Sequence, residues 1–210
     1  MKARAHLIGL GGYQEHGKDA AADALVLDRG WVKMGMSQPL NAALTVMNPW
    51  VKLSWIENYE YPEALKALWL AEQTGFARYA DLVEAVGYTD TKLHKDARDY
   101  LRLLGTEVGR AMFGEDVWVD AAVRTITGHL RSGRSLAVTG IRYRNELDMI
   151  ESLGGTTVWV ERPGHPVPDT THSSETTLGA DDFMVCVENS GTLTELNEAA
   201  VRFADLLERS

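Results

Sequence analysis

Between Gly11 and Val26 the chain reads GGYQEHGKDAAADALV, and no other stretch restricts its architecture as strongly. The spacing of Gly12, four residues, Gly17 and Lys18 satisfies the pattern of a phosphate-binding loop, except that Asp19 stands where Ser or Thr is usual. Such a pattern has meaning only when a strand precedes it and a helix follows. Both are predicted: AHLIGLGG is a short apolar run ending in glycines, as a buried parallel strand is, and KDAAADALVLDR is rich in helix formers. In a loop of this kind backbone N–H groups converge on an anion, the helix N-terminus adds partial positive charge, and Lys18 supplies a mobile cation. Asp19 offers a carboxylate to Mg2+ in place of the hydroxyl; the alternative is an acid that merely favours a first helical turn. A glutamate facing a triphosphate would repel it, so Glu15 is expected to point outward, with only its backbone facing the ligand. His16 is expected to be exposed.

The rest of the chain extends this beginning. SLAVTGI, TTVWVER and DFMVCVEN read as further buried strands, each separated from the next by a helix or a long loop. Alternating β and α elements predict an α/β fold with a mostly parallel sheet and helices on both faces. HKDARDYLRLLGTEVGRAMFG places Ala97, Leu101, Leu104, Val108 and Ala111 on one helical stripe that ends at Gly114. The next helix repeats the pattern with Val119, Ala122, Val123, Ile126 and Leu130 and stops at Gly133. An amphipathic helix closes the chain, with Thr192 or Thr194 as its cap. From about 50 to 87 the character changes to Trp- and Tyr-rich sequence, with Pro62 placed to open a helix, and a helical insertion is predicted there. Either it contributes an acceptor pocket that closes over substrate, or it is ordinary helix packing. A polar stretch at about 162–181 is too long for a tight connection and reads as a lid-like loop. No repeat or linker divides the 210 residues, so one domain is expected.

Composition narrows the partners. A formal net charge of −9 supplies no basic field for a nucleic-acid backbone, which favours a small molecule or a protein partner. The single cysteine, Cys186, excludes an internal disulfide, suits a reducing compartment and is expected to be a buried structural thiol. The first residues make no secretory signal and no stretch approaches a membrane span, so a cytoplasmic location without membrane partners is expected.

Phosphoryl transfer requires neutralisation of charge spread over the transferred group, and one lysine is rarely enough. The further cationic candidates are Arg98, Arg102, Arg110, Arg142, Arg144 and Arg162. Arg142 is favoured because it follows a buried strand directly, where open α/β sheets bind ligands. His172, Ser173, Ser174 and Glu175 lack the nucleophile elbow of a hydrolase and fit a nucleotide or substrate contact better. The six histidines show no metal-ligand spacing.

Taken together, the loop ending in Gly-Lys-Asp, RDYLRLLGTEVGR, VTGIRYRNELDMIESLGG, HSSE and VENSGTLTEL resemble the deoxynucleoside monophosphate kinases of tailed bacteriophages, in order and over nearly the whole chain. The resemblance implies a P-loop kinase three-layer α/β/α fold and transfer of the γ-phosphoryl group of ATP, with Mg2+, to a deoxynucleoside 5′-monophosphate. It makes Asp19 an ordinary family variant. It implies that Gly12, Gly17, Lys18 and Asp19 hold the donor phosphates and Mg2+, and that Arg98 and Arg142 match phosphate-contacting arginines. Arg102 replaces a usual glutamine beside the substrate, and Glu175 matches an active-site glutamate. Small nucleotides are then the partners, a homodimer is compatible with such a chain, and a phage-borne copy would work in the host cytoplasm. One departure stands out: Gly140 occupies the position of the acid in the family's Asp-Val-Arg-Phe segment. Two other readings stay open, a nucleotide-binding protein without catalysis and a kinase for another small acceptor such as dephospho-coenzyme A.

Overall fold

The structure, a computed structural model, describes residues 5–54, 60, 62–63, 65–66, 75–166 and 178–209. Its Cα packing divides the chain into two compact units, Met1–Met36 with Val119–Ser210, and Ser37–Trp118. The stretch expected as an insertion, about 50–87, falls within the second.

The first unit is built on a five-stranded sheet of β1 (Leu7–Gly11), β2 (Val32–Gly35), β5 (Leu136–Thr139), β6 (Thr156–Glu161) and β7 (Val185–Glu188). Its order is β2-β5-β1-β6-β7 and every pairing is parallel. Parallel strands cannot be joined by tight turns, so helices return the chain across both faces. Alternation along the strands separates two apolar layers. Leu7, Leu136, Val138 and Trp159 pack with Val119, Ala122 and Ile126 of α5 (Val117–Arg131) and with Leu147 and Ile150 of α6 (Arg144–Ser152). Ile8, Leu10, Ala137, Val158 and Val160 pack with Ala21, Ala22 and Leu25 of α1 (Lys18–Arg29) and with Leu196 and Ala204 of α7 (Leu193–Arg209). The result is the three-layer α/β/α arrangement. Thr192 caps α7: its hydroxyl accepts the Glu195 N–H while the Glu195 carboxylate accepts the Thr192 N–H, a reciprocal box.

Two expectations require correction here. The sheet contains β2, a short strand with Lys33 inside it, which joins the layer through its pairing with β5. The last strand, β7, is half exposed, because it pairs only with β6 and ends the sheet. Val185 and Val187 pack inward, whereas Cys186 faces out and is exposed rather than buried.

In the second unit, α2 (Gln38–Met47), α3 (Tyr79–Thr91) and α4 (Lys95–Arg102) share a core of Leu44, Val51, Leu65, Tyr79, Leu82, Ala97 and Leu101. Within 50–87 the described residues also form an antiparallel pair, β3 (Trp50–Lys52) with β4 (Phe76–Arg78). The helix predicted to run unbroken to Gly114 changes winding after Arg102, and Leu103–Phe113 is π-helical. Its wider turn takes later residues off the expected stripe: Ala97 and Leu101 are buried, Leu104 and Val108 only partly, and Ala111 is exposed. Gly109 is buried instead, where any Cβ would collide with the Trp118 indole, whose N–H donates to the Gly105 carbonyl at 2.9 Å.

Candidate active site

The loop from Gly12 to Gly17 leaves β1 at the centre of the sheet and delivers the chain into α1. Gly12 has φ +137° and Gly17 φ +102°, conformations that L side chains rarely adopt. Space excludes other residues as well: a Cβ on Gly12 would run into the Val160 carbonyl, and one on Gly17 would lie 2.7 Å from Asn189 Nδ2 and 2.8 Å from Leu196 Cδ2. Glu15 is exposed, with its carboxylate 3.4 Å from His165 Nε2.

His16 differs from the expectation of exposure. Only 2% of its surface is accessible, because two distant segments close over it. Its Nδ1 accepts the Arg162 N–H at 3.0 Å, and its carbonyl accepts from Asn189 Nδ2 at 3.0 Å. An imidazole that accepts at Nδ1 is neutral and carries its proton on Nε2. Burial is the first cause of a pKa below the ordinary value, followed by the neighbouring His165; Lys18 and Arg162 act in the same direction and Glu161 against it. The loop is thus tied to the ends of β6 and β7 by a histidine that is neutral in this arrangement. Asn189, which sequence reasoning missed, completes the tie: it is buried, and its backbone N–H donates to the Glu161 carbonyl at 2.6 Å.

Lys18 folds back over the loop, donating from Nζ to the Tyr13 carbonyl at 3.1 Å. Beyond β5, Arg142 follows the turn at Gly140 and Ile141. A cleft opens between these segments, lined by Gly12, Tyr13, Gln14 and Lys18 from the loop, by Ile141 and Arg142, and by Trp159 and Leu178. Lys18 and Arg142, picked from distant parts of the sequence, therefore line one cavity at the C-terminal ends of adjacent strands. The Arg142 turn is fixed by Glu146, a second residue missed in the sequence. Its buried carboxylate accepts the N–H groups of Arg142 at 2.8 Å and Tyr143 at 3.3 Å. The signal was present as an acid at the third position of α6, where orphan N–H groups need acceptors. Gly140 has φ +78° with open space around it, so the missing acid coincides with a turn that favours glycine.

Asp19 lies in the first turn of α1 with its side chain 59% exposed, 4.0 Å from Lys18 Nζ and 3.5 Å from Lys33 Nζ. No cluster of three or more metal-ligating side chains occurs among the described residues. The donor set fits a metal held by one carboxylate together with phosphate and water oxygens, and does not fit an all-protein cage. Arg98 and Arg102 lie on α4 of the second unit, where Arg102 pairs with Glu107 at 3.1 Å. Glu175 and the HSSE segment lie outside the described residues.

The sequence model for deoxynucleotide monophosphate kinase matches residues 64–200. The chain belongs to the deoxynucleotide monophosphate kinase family. A curated relative of this kinase-family chain, the uncharacterized protein ORF77 of Ictalurid herpesvirus 1 (strain Auburn), is 29% identical over 132 residues, covering 59% of the chain. The chain spans only 55% of that relative's length. Among solved structures, dephospho-CoA kinase from Campylobacter jejuni is similar in fold at a TM-score of 0.50, with 9% identity and 99% and 100% of the two chains covered. A sugar kinase from Janibacter sp. aligns at a TM-score of 0.46 with 13% identity, over 96% of this chain and 95% of its own. The likeness to the dephospho-CoA kinase structure, together with the parallel five-stranded sheet between two helical layers, makes the fold of this family member the P-loop kinase fold. No described helix is long and apolar enough to cross a membrane.

Proposed function

We propose that this chain transfers the γ-phosphoryl group of ATP to a deoxynucleoside 5′-monophosphate, giving ADP and the deoxynucleoside diphosphate. The observation that carries the reading is the meeting of Lys18 and Arg142 in the cleft beside the glycine loop. A phosphoryl group in transfer spreads negative charge over its oxygens, and a lysine and an arginine facing one cavity are the groups that stabilise it. The loop N–H groups and Lys18 hold the donor phosphates, and Arg142 takes oxygens of the acceptor or of the group in flight. Arg98 is assigned the same kind of contact on the strength of the family motif, with Arg102 and Glu175 as further substrate contacts. Mg2+, held by Asp19 and phosphate oxygens, would offset the charge on the donor. No general base is required, because an acceptor phosphate is already ionised at neutral pH.

The test is ADP release across the common deoxynucleotides, the ribonucleotides and dephospho-coenzyme A, with ATP binding measured in parallel. Turnover with at least one deoxynucleoside monophosphate, abolished by Lys18→Ala without loss of thermal stability, is the expected result. Binding of ATP without turnover on any acceptor would leave a nucleotide-binding protein, and turnover on dephospho-coenzyme A alone would move the substrate class. Near-wild-type turnover by Lys18→Ala would remove this loop as the donor site.

A further inference from the structure

The edge strand β2 carries a lysine that the reading above leaves unused. Lys33 Nζ lies 2.9 Å from Asp23 Oδ1 and 3.5 Å from Asp19 Oδ1, and donates to the Asp19 carbonyl at 3.3 Å. Asp19 and Asp23 are one turn apart on α1, so a single ammonium spans both carboxylates. Lys18 Nζ stands 4.0 Å from the other Asp19 oxygen, Oδ2. The carboxylate assigned to the metal is thus placed between two ammonium groups before any divalent cation arrives. Lys33 is more than two-thirds covered, with its side chain 29% exposed, so its position is held by packing as well as by charge.

We propose that Lys33 is a positioning residue that sets the affinity of this site for divalent metal. It rests on the assignment of Asp19 to Mg2+. A metal ion approaching Asp19 must displace or tolerate Lys33, which weakens binding in the nucleotide-free protein. Donor phosphates add oxygens and negative charge, and only then does the metal outcompete the ammonium. Asp23 holds part of the Lys33 charge away from Asp19, so it acts in the opposite sense. The metal therefore enters with the nucleotide instead of waiting for it.

The experiment titrates Mn2+ into the full chain, followed by electron paramagnetic resonance, with and without a non-hydrolysable ATP analogue. Lys33→Met, with Lys33→Gln as a second version should the first fail to fold, is expected to tighten Mn2+ binding about two- to five-fold, the range of a partly exposed ion pair. Asp23→Asn is expected to weaken it by a similar factor, because all of the Lys33 charge then falls on Asp19. Arg202→Met, at an exposed arginine of α7 that pairs with Glu198 and not with Asp19, Asp23 or Lys33, repeats the charge change outside this cluster and is expected to leave affinity unchanged. Asp19→Asn is expected to weaken Mn2+ binding more than any of these. If Asp19→Asn weakens binding while the Lys33 and Asp23 variants have no effect, shift together in one direction, or are matched by Arg202→Met, the role of Lys33 is overturned and that of Asp19 survives. If Asp19→Asn changes nothing, the assignment of Asp19 and the proposal fall together.

Discussion

Each of the two units is tied by one buried histidine, and the two ties differ in their surroundings. In the sheet unit His16 Nδ1 accepts the Arg162 N–H; in the helical unit His94 Nδ1 accepts the Ser54 N–H at the same 3.0 Å. Both rings are essentially inaccessible, and burial is the leading cause of a lowered pKa in both. For His94 burial is the only cause, whereas His16 also feels His165, Lys18, Arg162 and Glu161. His94 is a packing device. His16 is a packing device that also sits among the charges of the phosphate loop. Both units also use side chains that accept backbone N–H groups, Glu146 from Arg142 in the sheet unit and Asn48 from Ala80 and Asp96 from Lys52 in the helical unit, but only the sheet unit sets two such crowded glycines, Gly12 and Gly17, in one loop.

The sharpest way to break the contrast is to put a methyl group into the loop. Gly12→Ala combines a left-handed conformation with a collision against Val160, and is expected to cost about 2–3 kcal/mol and donor binding with it. Hydrogen exchange should localise the loosening to the loop and β6, leaving the core around Leu44 and Tyr79 protected. Equal loosening in both units would show that they do not open separately.

A tenfold effect comes next. Arg142→Ala and Arg98→Ala, one in each unit, are each expected to lower kcat/KM at least tenfold, about 1.4 kcal/mol of transition-state stabilisation. Lysine at either position should recover only part, since a point charge does not replace a planar fork. Full activity of Arg98→Ala alone would confine the phosphate chemistry to the sheet unit.

The smallest effect is on acid stability. Because the folded pKa of His16 and of His94 lies below the unfolded value of 6.5, the unfolded chain binds more protons as pH falls from 6.5, and stability declines with falling pH through that window. Asparagine can accept the same N–H without charging. His16→Asn and His94→Asn should each flatten part of the decline in thermal melting between pH 6.5 and 5. An ATP analogue, by favouring a charged ring near its phosphates, should flatten the slope that survives in His94→Asn and not the one in His16→Asn. Identical responses would mean that His16 is as insulated as His94.

The legible parts of this molecule were those fixed by neighbours in sequence. The glycine loop, the apolar runs of β1, β5 and β6, the stop at Gly114 and the Thr192 cap all depend on residues within a few positions. What escaped depends on distant partners. His16 is buried because Arg162 and Asn189 come to it, and β2 is a strand because β5 offers it hydrogen bonds despite the lysine in its short span. The π-helical winding accompanies the packing of Trp118 against Gly109, which no helical periodicity encodes. Arg142 was found from its place after a strand, yet Glu146, which holds its backbone, was visible only as an acid near a helix start.

The exposed position of Cys186 has a consequence in redox terms. Exposure alone would make the thiol a target for oxidants and alkylating reagents, but the reacting species is the thiolate. Partial desolvation, and then the carboxylates of Glu161, Glu188 and Asp181, push this thiol above its ordinary pKa. Glu161 and Glu188 are register partners across β6 and β7, so the acidic surroundings are built into the pairing of the strands. The sheet edge therefore presents an exposed sulfur whose thiol form is favoured twice over, first by partial desolvation and then by the carboxylates that the strand pairing sets beside it.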